Sequence, residues 1–504
     1  MKTIKFTEAI VVLFVLILGI FSLARGEKDS DTAATSCSKD PQTGQCSTDK
    51  ESYHHKDDKN SIAENKAKYL SDNIDPSPLI PRGKKPIMIW WTDHIFPHTK
   101  AQANHEIYCK KGGCITSIDK KLKDDPATRM MIFYGTDLRA DEMPLPRNPW
   151  DEWAVFHEES PKNNWMLTFE DALRMFNHTA TFRRESDYPV SSQSIRDLKD
   201  WTNPPLPLKT KNRLQKEKGL AAVVYVQRDC YTPSDRERYM AELMKHIKID
   251  SYGPCLNNKK MPEEIDGFHK LQSPKFYEFL AQYKFHIAFE NAICNDYMTE
   301  KLFRPLEVGS VPIYMGSPVA RDWMPNHKSA VFVDNFESPK DLADYIKYLD
   351  ANDEEYEKYL DYKKPGQINN EYLLNAIENR PWRVLGDWDK INFGHRMYAD
   401  WECYLCDRMI ERQEALRAHK LNPDKIPPPP PKFANKDHLE CPEPVVSLEM
   451  ENPANKSVIY WQGFREARAF RKMLEAGETD TRTFTSKYLR ENTDKYFWKK
   501  TDNH

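Results

Sequence analysis

One stretch of the chain carries a pattern of apolar and polar positions that predicts a strand, a polar loop, a short helix and a second strand. Apolar residues alternate over positions 285–289, as in a strand with one better-buried face. Residues 290–299 are mostly polar and predict a loop, whereas Leu302 and Leu306 lie four positions apart, as on one face of a helix. An apolar run at 311–314 predicts the second strand. Such a unit places a crevice at the carboxyl edge of its sheet, where nucleotides usually bind.

Further patterns predict the elements around this unit. Short apolar runs at 86–91 and 221–226 predict strands, and the second run suits a buried parallel strand. Ser234 and Glu237 form a capping-box pattern that predicts the start of a helix. The apolar stripe of that helix, which predicts core packing, consists of Met240, Leu243, Met244 and Ile247. Another helix is predicted from Ser338 onward, with Leu342, Ile346 and Leu349 on one face.

Shifts in composition divide the chain into five segments. Residues 1–25 contain an apolar run, and residues 26–84 are too polar to form a core, which indicates a stem. Residues 85–205 form a first domain and residues 206–376 a second. The hinge between them is predicted at three prolines (Pro204, Pro205 and Pro207) and the Lys-rich stretch that follows. Residues 377–504 remain as a C-terminal extension, in which five consecutive prolines form a stiff spacer.

Charge and glycine content exclude two common kinds of site. The 74 basic and 77 acidic residues give a net charge of −3, which offers no support for a nucleic-acid partner. Glycine is scarce, at 17 of 504 residues, and neither GxGxxG nor GxxxxGK[ST] occurs. A phosphate ligand would therefore be bound by charged side chains and helix N-termini rather than by a Gly-rich loop.

The N-terminal segment predicts entry into the secretory pathway. Lys2 and Lys5 precede an apolar run at 9–23, which is shorter than the roughly 17–25 residues of a spanning helix. The run fits a signal peptide cleaved near Ala24, and it fits an uncleaved type II signal anchor as well. Both interpretations place the remainder in the lumen of the endoplasmic reticulum or Golgi, with membrane attachment only if the segment is uncleaved.

Cysteines and glycosylation sequons fit a lumenal protein. The ten cysteines include three close pairs: Cys37 and Cys46, Cys109 and Cys114, and Cys403 and Cys406. The last pair has CxxC spacing, but a zinc site would need a second such pair, and a thioredoxin-type redox pair would need a βα start around it. Structural disulfides are therefore favoured, with their connectivity open. Asn177 and Asn455 begin sequons that predict N-glycans.

Polar side chains at the predicted crevice suggest a site for an anionic ligand. Lys301 lies in the first turn of the predicted helix, where the helix dipole disfavours a cation. A bound anion would remove this conflict, because free N–H groups and the dipole both favour anions there. Arg236 lies in the first turn of the helix after Ser234 and is a second candidate, with Arg238 as an alternative. The rim of the crevice would consist of Glu290, Asn291, Tyr297, Glu300 and Lys301, although Asn291 also suits a role in stabilising the turn.

The same segment resembles the donor-binding motif of the α1,3-fucosyltransferase family, glycosyltransferase family ten. The motif is Phe-Glu-Asn at 289–291 followed by Asp-Tyr-Met-Thr-Glu-Lys-Leu at 296–302. Together with Gly-Ser-Pro-Val-Ala-Arg-Asp-Trp-Met-Pro-Asn at 316–326, it is most similar to the branch of the vertebrate fucosyltransferases ten and eleven. That branch is associated with O-fucosylation of EMI domains in the endoplasmic reticulum.

This resemblance implies a fold, a donor and a set of residue roles. The fold is α/β and GT-B-like, with two facing Rossmann-like domains and a cleft between them. The donor is GDP-fucose, whose diphosphate would contact Lys301 and Arg236. Glu300 would accept hydrogen bonds from the ribose hydroxyls, and Tyr297 would reach the ribose or the fucose. Glu290 and Asn291 would complete the rim of the donor site.

The resemblance also indicates a catalytic base. His-Glu-Glu-Ser-Pro at 157–161 is similar to a Glu-Ser-Pro motif of the family, whose glutamate is the proposed base, and this puts the role on Glu159. Glu158 and His157 remain alternatives. Asp-x-Asp pairs, which a Mg²⁺-bridged diphosphate would need at the cleft, occur only at 29–31 and 387–389. We therefore expect no metal and no cofactor, and transfer by direct displacement with inversion.

These observations favour an enzyme that moves L-fucose from GDP-fucose to Ser or Thr of a folded secretory domain of the EMI type. One alternative is α1,3-fucosyl transfer to GlcNAc of N-glycans or glycolipids. The other is a non-catalytic, lumenal GDP-fucose-binding or chaperone-like protein, against which the presence of Glu159, Arg236 and Lys301 argues. The sequence leaves the acceptor, the linkage, the oligomeric state and the role of the C-terminal extension open.

Overall fold

The structure, a computed structural model, describes residues 78–382, 393–444 and 454–491. The predicted N-terminal segment 1–25, the predicted stem up to residue 77, and Cys37 and Cys46 lie outside the described residues. Of the helices in the described ranges, none combines the length and the apolar character needed to cross a membrane.

The first of two sheets in the described residues has six strands. They are β1 (Ile87–Trp90), β2 (Asn104–Tyr108), β3 (Gly113–Ser117), β4 (Thr128–Tyr134), β5 (Glu152–His157) and β6 (His178–Thr181). Their order is β2-β3-β1-β4-β5-β6, and only β2 runs antiparallel to its neighbour. This sheet and the helices on its faces form what we call the first lobe.

The second sheet has five parallel strands and, with its helices, forms the second lobe. They are β7 (Val223–Val226), β8 (Ile249–Tyr252), β9 (Phe285–Phe289), β10 (Val311–Met315) and β11 (Val331–Phe332), in the order β11-β10-β9-β7-β8. The predicted strand–helix–strand unit is confirmed. Strand β9 is buried on both faces rather than on one, because it is the central strand and helices cover both sides of the sheet.

Twelve α-helices occur in the described residues. They are α1 (Glu170–Leu173), α2 (Leu198–Trp201), α3 (Leu208–Lys218), α4 (Arg236–His246), α5 (Pro274–Ala281), α6 (Glu300–Val308), α7 (Pro339–Ala351), α8 (Asp353–Glu357), α9 (Glu371–Glu378), α10 (Phe393–Leu421), α11 (Ala454–Glu475) and α12 (Leu489–Glu491). Helices α4 and α7 pack on one face of the second sheet through Met240 and Leu342, and α6 packs on the other through Leu302. The predicted apolar stripes of α4, α6 and α7 therefore face the core, as expected.

The predicted capping box of α4 is wrong. The helix begins at Arg236, and Asp235 at its N-cap has φ +53° and no side-chain capping bond. Ser234 instead donates from its hydroxyl to the carbonyl of Glu290 at 2.6 Å and from its amide to the carbonyl of Asn291 at 3.0 Å. A tertiary bond to the end of β9 has replaced the local cap, and it holds the start of α4 beside the loop that follows β9.

The Lys-rich stretch predicted as part of a hinge is helix α3. Its Lys211 is fully buried and donates hydrogen bonds to the carbonyls of Tyr283 and Gly309, at 2.9 and 2.7 Å, and to the Ser310 hydroxyl at 2.9 Å. Three acceptors satisfy the buried ammonium, so this stretch is anchored to the second lobe. The predicted domain boundaries at 205 and 376 stay predictions.

Part of the predicted C-terminal extension completes the core of the first lobe. Helix α10 covers one face of the first sheet with Trp401 and Leu405, and α11 covers the other face with Ala467 and Phe470. Disulfides Cys109–Cys403 and Cys114–Cys406 attach α10 to the β2–β3 hairpin. Because each cysteine of the CxxC pair has a different partner, the predicted structural disulfides are confirmed and the zinc and redox alternatives are excluded.

The structure argues against the predicted glycan on Asn177. Its side chain is buried, and its amide nitrogen donates to the carbonyl of Lys432 at 2.8 Å. Its amide oxygen accepts from the Arg147 guanidinium and from the Trp153 amide, each at 2.7 Å. A sugar on this nitrogen would displace buried hydrogen bonds, because all of its polar atoms are already used. The side chain of Asn455 lies outside the described residues.

Candidate active site

Glu290 organises the loop that joins β9 to α6. It lies directly after β9, is fully buried, and accepts hydrogen bonds from the Thr299 amide at 2.7 Å and the Thr299 hydroxyl at 2.8 Å. Burial raises the pKa of the Glu290 carboxyl, and the nearby Lys301 opposes this. Thr299 is in turn the N-cap of α6. Glu290, predicted at the rim of the donor site, is therefore fully buried, and it fixes the start of α6.

Lys301 and Glu300 lie in the first turn of α6, as predicted. The Lys301 ammonium donates to the Thr299 hydroxyl at 2.9 Å and lies 3.5 Å from carboxylate oxygens of both Glu290 and Glu300. Burial opposes the charge of Lys301, but Glu300 and Glu290 raise its pKa above the usual value. Two carboxylates thus offset the unfavourable position of this cation near the positive end of the helix dipole.

Glu300 is more open to solvent than Glu290. Its partial enclosure raises the pKa, but the cations Lys301 and Arg304 lower it by more, so that Glu300 is a carboxylate. Because 48 % of the Glu300 side chain is exposed, solvent screens this attraction, which is therefore weaker than the buried contact of Glu290 with Thr299. An exposed carboxylate at the helix start is free to accept hydrogen bonds from a ligand.

Arg236 at the first position of α4 is buried beside this loop. One guanidinium nitrogen donates to the carbonyl of Phe289 at 2.7 Å, and Nε lies 3.6 Å from the Glu237 carboxylate without a hydrogen bond. The amide oxygen of the Asn291 side chain is also buried without a hydrogen-bond partner. Buried polar atoms without a hydrogen-bond partner are costly. These two atoms, of Arg236 and Asn291, therefore favour a polar ligand beside this loop.

Tyr297 connects the loop to the first lobe. Its ring is buried and packs edge-on against Phe182, with ring centroids 5.2 Å apart. Burial raises the pKa of Tyr297 well above its usual value, and the carboxylates of Glu159, Glu290 and Glu300 add to this rise. Carboxylates of both lobes are therefore within electrostatic reach of Tyr297.

Further contacts dock the same loop onto the first lobe. The guanidinium of Arg184 in the first lobe donates to one carboxylate oxygen of Asp296 at 2.7 and 2.9 Å and to the other at 3.0 Å. A disulfide links Cys294 of the loop to Cys441 of the C-terminal segment. Neither anchor is evident from the sequence: Asp296 belongs to the family-like motif, but nothing local to Arg184 or Cys441 indicates its partner.

Glu159 lies at the carboxyl end of β5 and is coupled electrostatically to the second lobe. Burial raises its pKa above the usual value, Lys301 lowers it, and Glu300 and Glu290 raise it again. The structure thus brings the predicted base within electrostatic reach of Glu290, Glu300 and Lys301, which are more than a hundred positions away in the sequence.

The two alternatives to Glu159 have different surroundings. Glu158 accepts hydrogen bonds from the hydroxyls of Tyr134 and Tyr398, at 3.3 and 3.2 Å, and burial raises its pKa to about 7. His157 is fully buried, and burial lowers its pKa to about 4. Both side chains lie within the first lobe, so Glu159 is the member of this triplet whose charge is coupled to Lys301.

Two lobes with largely parallel sheets, whose carboxyl ends face a common polar site, are the architecture of GT-B glycosyltransferases. One wall of the site carries the carboxyl group of Glu159, and the other carries the cations Lys301 and Arg236 at two helix N-termini. Within the described ranges, no three His, Cys, Asp or Glu side chains are grouped as a metal ion would require.

Comparisons with known proteins agree with this architecture. The profile described as "Glycosyltransferase family 10 (fucosyltransferase) C-term" matches residues 214–420, and that described as "Fucosyltransferase, N-terminal" matches residues 82–192. A Gallus gallus protein named "GDP-fucose protein O-fucosyltransferase 3" is 42% identical over 407 residues, covering 79% of this chain and 81% of that protein. The Danio rerio protein of the same name is 41% identical over 408 residues, covering 79% of this chain and 84% of that protein. The chain therefore belongs to the fucosyltransferase family, glycosyltransferase family 10.

Among solved structures, an α1,3-fucosyltransferase with GDP-fucose is 17% identical and covers 67% of this chain and 91% of that chain, with a TM-score of 0.34. Family membership and the two-lobed structure together confirm the predicted family, the GT-B fold and the class of enzyme, a glycosyltransferase of the fucosyltransferase type. The roles of individual residues stay predictions.

Proposed function

We propose that this protein transfers L-fucose from GDP-fucose to a Ser or Thr hydroxyl of a folded secretory protein domain. The observation that carries the proposal is the convergence of Glu159 from the first lobe with Lys301 and Glu300 from the second. A base on one wall and cations on the other are the two requirements of a displacement at the anomeric carbon.

In the proposed reaction the acceptor oxygen attacks the anomeric carbon of fucose while the bond from that carbon to the diphosphate oxygen breaks. Glu159 takes the hydroxyl proton, which its raised pKa favours. GDP leaves with the bonding electrons, and Lys301, Arg236 and the N-termini of α6 and α4 stabilise its charge. Attack from the side opposite the leaving group inverts the anomeric centre. Because these cations face the leaving group, we propose that the reaction needs no metal.

The choice of a protein acceptor is supported by the relatives and by the motif. The Gallus gallus and Danio rerio relatives are both named as protein O-fucosyltransferases. The motif at 289–302 is most similar to the branch associated with EMI domains, and we propose an EMI-type domain as the acceptor. Three disulfides in the described residues fit an oxidising compartment, so we place the reaction in the secretory lumen.

The test is a competition between two acceptors in one reaction with GDP-fucose and without added metal. One acceptor is a folded, disulfide-bonded EMI domain and the other is a GlcNAc-terminated N-glycan, and mass spectrometry reads both. We expect one deoxyhexose on the polypeptide, unchanged by EDTA. Label on the glycan alone would make the protein a glycan α1,3-fucosyltransferase, and GDP binding without any transfer would favour a non-catalytic protein.

The assignment of the base predicts that Glu159→Gln abolishes transfer while GDP affinity remains within about twofold of wild type, because the carboxylate acts on the acceptor proton and not on the diphosphate. Transfer rates and calorimetric GDP affinity measure the two effects. The matched control is Glu158→Gln, which removes the adjacent carboxylate. Full transfer activity in Glu159→Gln would overturn the assignment.

The assignment of the donor site predicts that Lys301→Ala and Arg236→Ala weaken GDP binding at least about tenfold, because the diphosphate loses a charged partner. Arg238→Ala, two positions along the same helix, is the control and should bind GDP as wild type does. GDP affinity that is unchanged in Lys301→Ala would contradict the location of the donor site.

A further inference from the structure

Two loops meet at the carboxyl edge of the second sheet beside Arg236. Strands β7 and β8 are neighbours. Directly after β7, the Gln227 amide donates to the carbonyl of Tyr252, the last residue of β8, at 2.9 Å. The Cys255 amide points back to the carbonyl of Gln227 at 3.4 Å. Gly253 has φ +90°, and a Cβ there would lie 2.3 Å from the Gln227 carbonyl oxygen. The bases of the two loops are therefore packed without room for a side chain.

Each of these loops carries a cysteine, and both are thiols in this structure. Cys255 is buried and Cys230 is half-buried, and they are the free cysteines of the described residues. The two thiols interact with each other, and Cys255 is also within electrostatic reach of Glu237 and Arg236. The other six cysteines of the described residues are paired in three disulfides.

The segment from Gln227 to Asp235 is anchored near its end, where Ser234 donates to the carbonyls of Glu290 and Asn291. The Gln227 side chain bonds the Asp229 carbonyl at 2.9 Å, and the Asp229 carboxylate bonds Lys162 of the first lobe. Tyr231, next to Cys230, is 86 % exposed. This segment leads directly into the first turn of α4, so its conformation determines where Arg236 lies.

We propose that Cys230 and Cys255 form a disulfide, and that this bond holds the segment in the conformation that binds the diphosphate of the donor. The inference rests on the proposed function for its effect on the donor, but the bond itself does not. The bond would join the loops that follow β7 and β8, which flank α4 in the sequence. The start of α4 would then be fixed before the donor arrives. A site that is already ordered loses less conformational entropy when its ligand binds.

The bond forms by thiol–disulfide exchange. Cys230, the more accessible thiol, attacks the disulfide of an oxidised small thiol or of a disulfide-bearing oxidoreductase as a thiolate, and one thiol of that oxidant leaves. Cys255 then attacks the mixed disulfide and releases the second. The two protein thiols lose two protons and two electrons in all, and the oxidant gains them as two thiols.

Peptide mapping tests the bond without reference to function. The full chain is prepared without reductant, its free thiols are alkylated under denaturing conditions, and non-reducing digestion is read by mass spectrometry. We expect a linked peptide that contains Cys230 and Cys255. Alkylation of both cysteines in oxidised protein would overturn the proposal.

The effect on the donor is tested with Cys230→Ser, Cys255→Ser and the double variant. We expect each to bind GDP about three- to tenfold more weakly than wild type, through the loss of pre-organisation. Mild reduction of wild type that leaves the Cys114–Cys406 peptide intact should cause the same loss, and the double variant should not respond to reductant.

GDP affinity equal to wild type in the double variant would overturn the effect on the donor. If oxidised wild type with the mapped bond binds no GDP, the proposed function fails and the disulfide stands.

Discussion

At the scale of single residues, two adjacent glutamates have been given different chemistry by their surroundings. Glu158 is enclosed by the hydroxyls of Tyr134 and Tyr398, whereas Glu159 is coupled to Lys301 across the cleft. One carboxyl is therefore enclosed within the first lobe, and the other is coupled to a cation of the second lobe.

The raised pKa of Glu158 predicts a pH-dependent effect on stability. The folded protein binds this proton with a pKa of about 7, against an ordinary value of 4.5. The stabilising contribution is complete below pH 4.5 and is lost as the pH rises through 7. Glu158→Gln keeps an acceptor for both tyrosines without a charge. We expect it to be more stable than wild type by roughly 1–3 kcal/mol at pH 8 and to lose this advantage at pH 4.5. Urea unfolding at the two pH values measures this, and an advantage that is independent of pH would contradict it.

At the scale of elements, helix α6 is fixed at both ends. Glu290 and Thr299 hold its start, and Gly309 ends it with φ +68°. A Cβ on Gly309 would lie 2.3 Å from the Cβ of Pro205, in the segment between the two lobes. The end of the donor-site helix is therefore packed against this segment without room for a side chain.

Replacing Gly309 should lower the free energy of unfolding for two separable reasons. In Gly309→Ala we expect a loss of about 2–4 kcal/mol of unfolding free energy, from the left-handed backbone and from the clash with Pro205. Gly219 ends α3 with φ +63° and has nothing within 4 Å of the added Cβ, so Gly219→Ala should lose only about 1 kcal/mol. Denaturant unfolding of both variants isolates the effect of packing. Equal losses would show that the contact with Pro205 has no weight.

At the scale of the whole molecule, the C-terminal segment is part of the first lobe. Phe470 of α11 is fully buried in the same core as Phe176, with ring centroids 6.4 Å apart. Helix α10 covers the opposite face and is attached by two disulfides. The core of the first lobe is therefore completed by helices that follow the second lobe in the sequence.

This arrangement predicts that a substitution near the C-terminus destabilises the first lobe. We expect Phe470→Ala to cost about 3–5 kcal/mol, because it opens a cavity in the core. Trp461→Ala on the same helix should cost less than about 1 kcal/mol, since 39 % of Trp461 is exposed. Thermal and denaturant unfolding compare the two, and a small loss in Phe470→Ala would separate α11 from the core.

Features that depend on neighbouring positions in the chain could be predicted from the sequence. The β9–loop–α6–β10 unit, the position of Lys301 in the first turn of α6 and the apolar stripes of α4 and α7 all follow from short-range periodicity and turn chemistry. The family-like motif at 289–302 predicted the fold and the class of reaction, because its polar positions are close together in the sequence and surround one crevice.

Only the tertiary structure decided which distant groups meet. It directed Glu159 rather than Glu158 toward Lys301, used Ser234 to bind the end of β9 instead of capping α4, and paired Cys403 and Cys406 with separate partners. It also placed α10 and α11 on the two faces of the first sheet and buried Asn177 under Lys432. Contacts of this kind join residues that are tens to hundreds of positions apart. Local periodicity cannot specify them, because many apolar surfaces and polar partners are equivalent until the whole chain has packed.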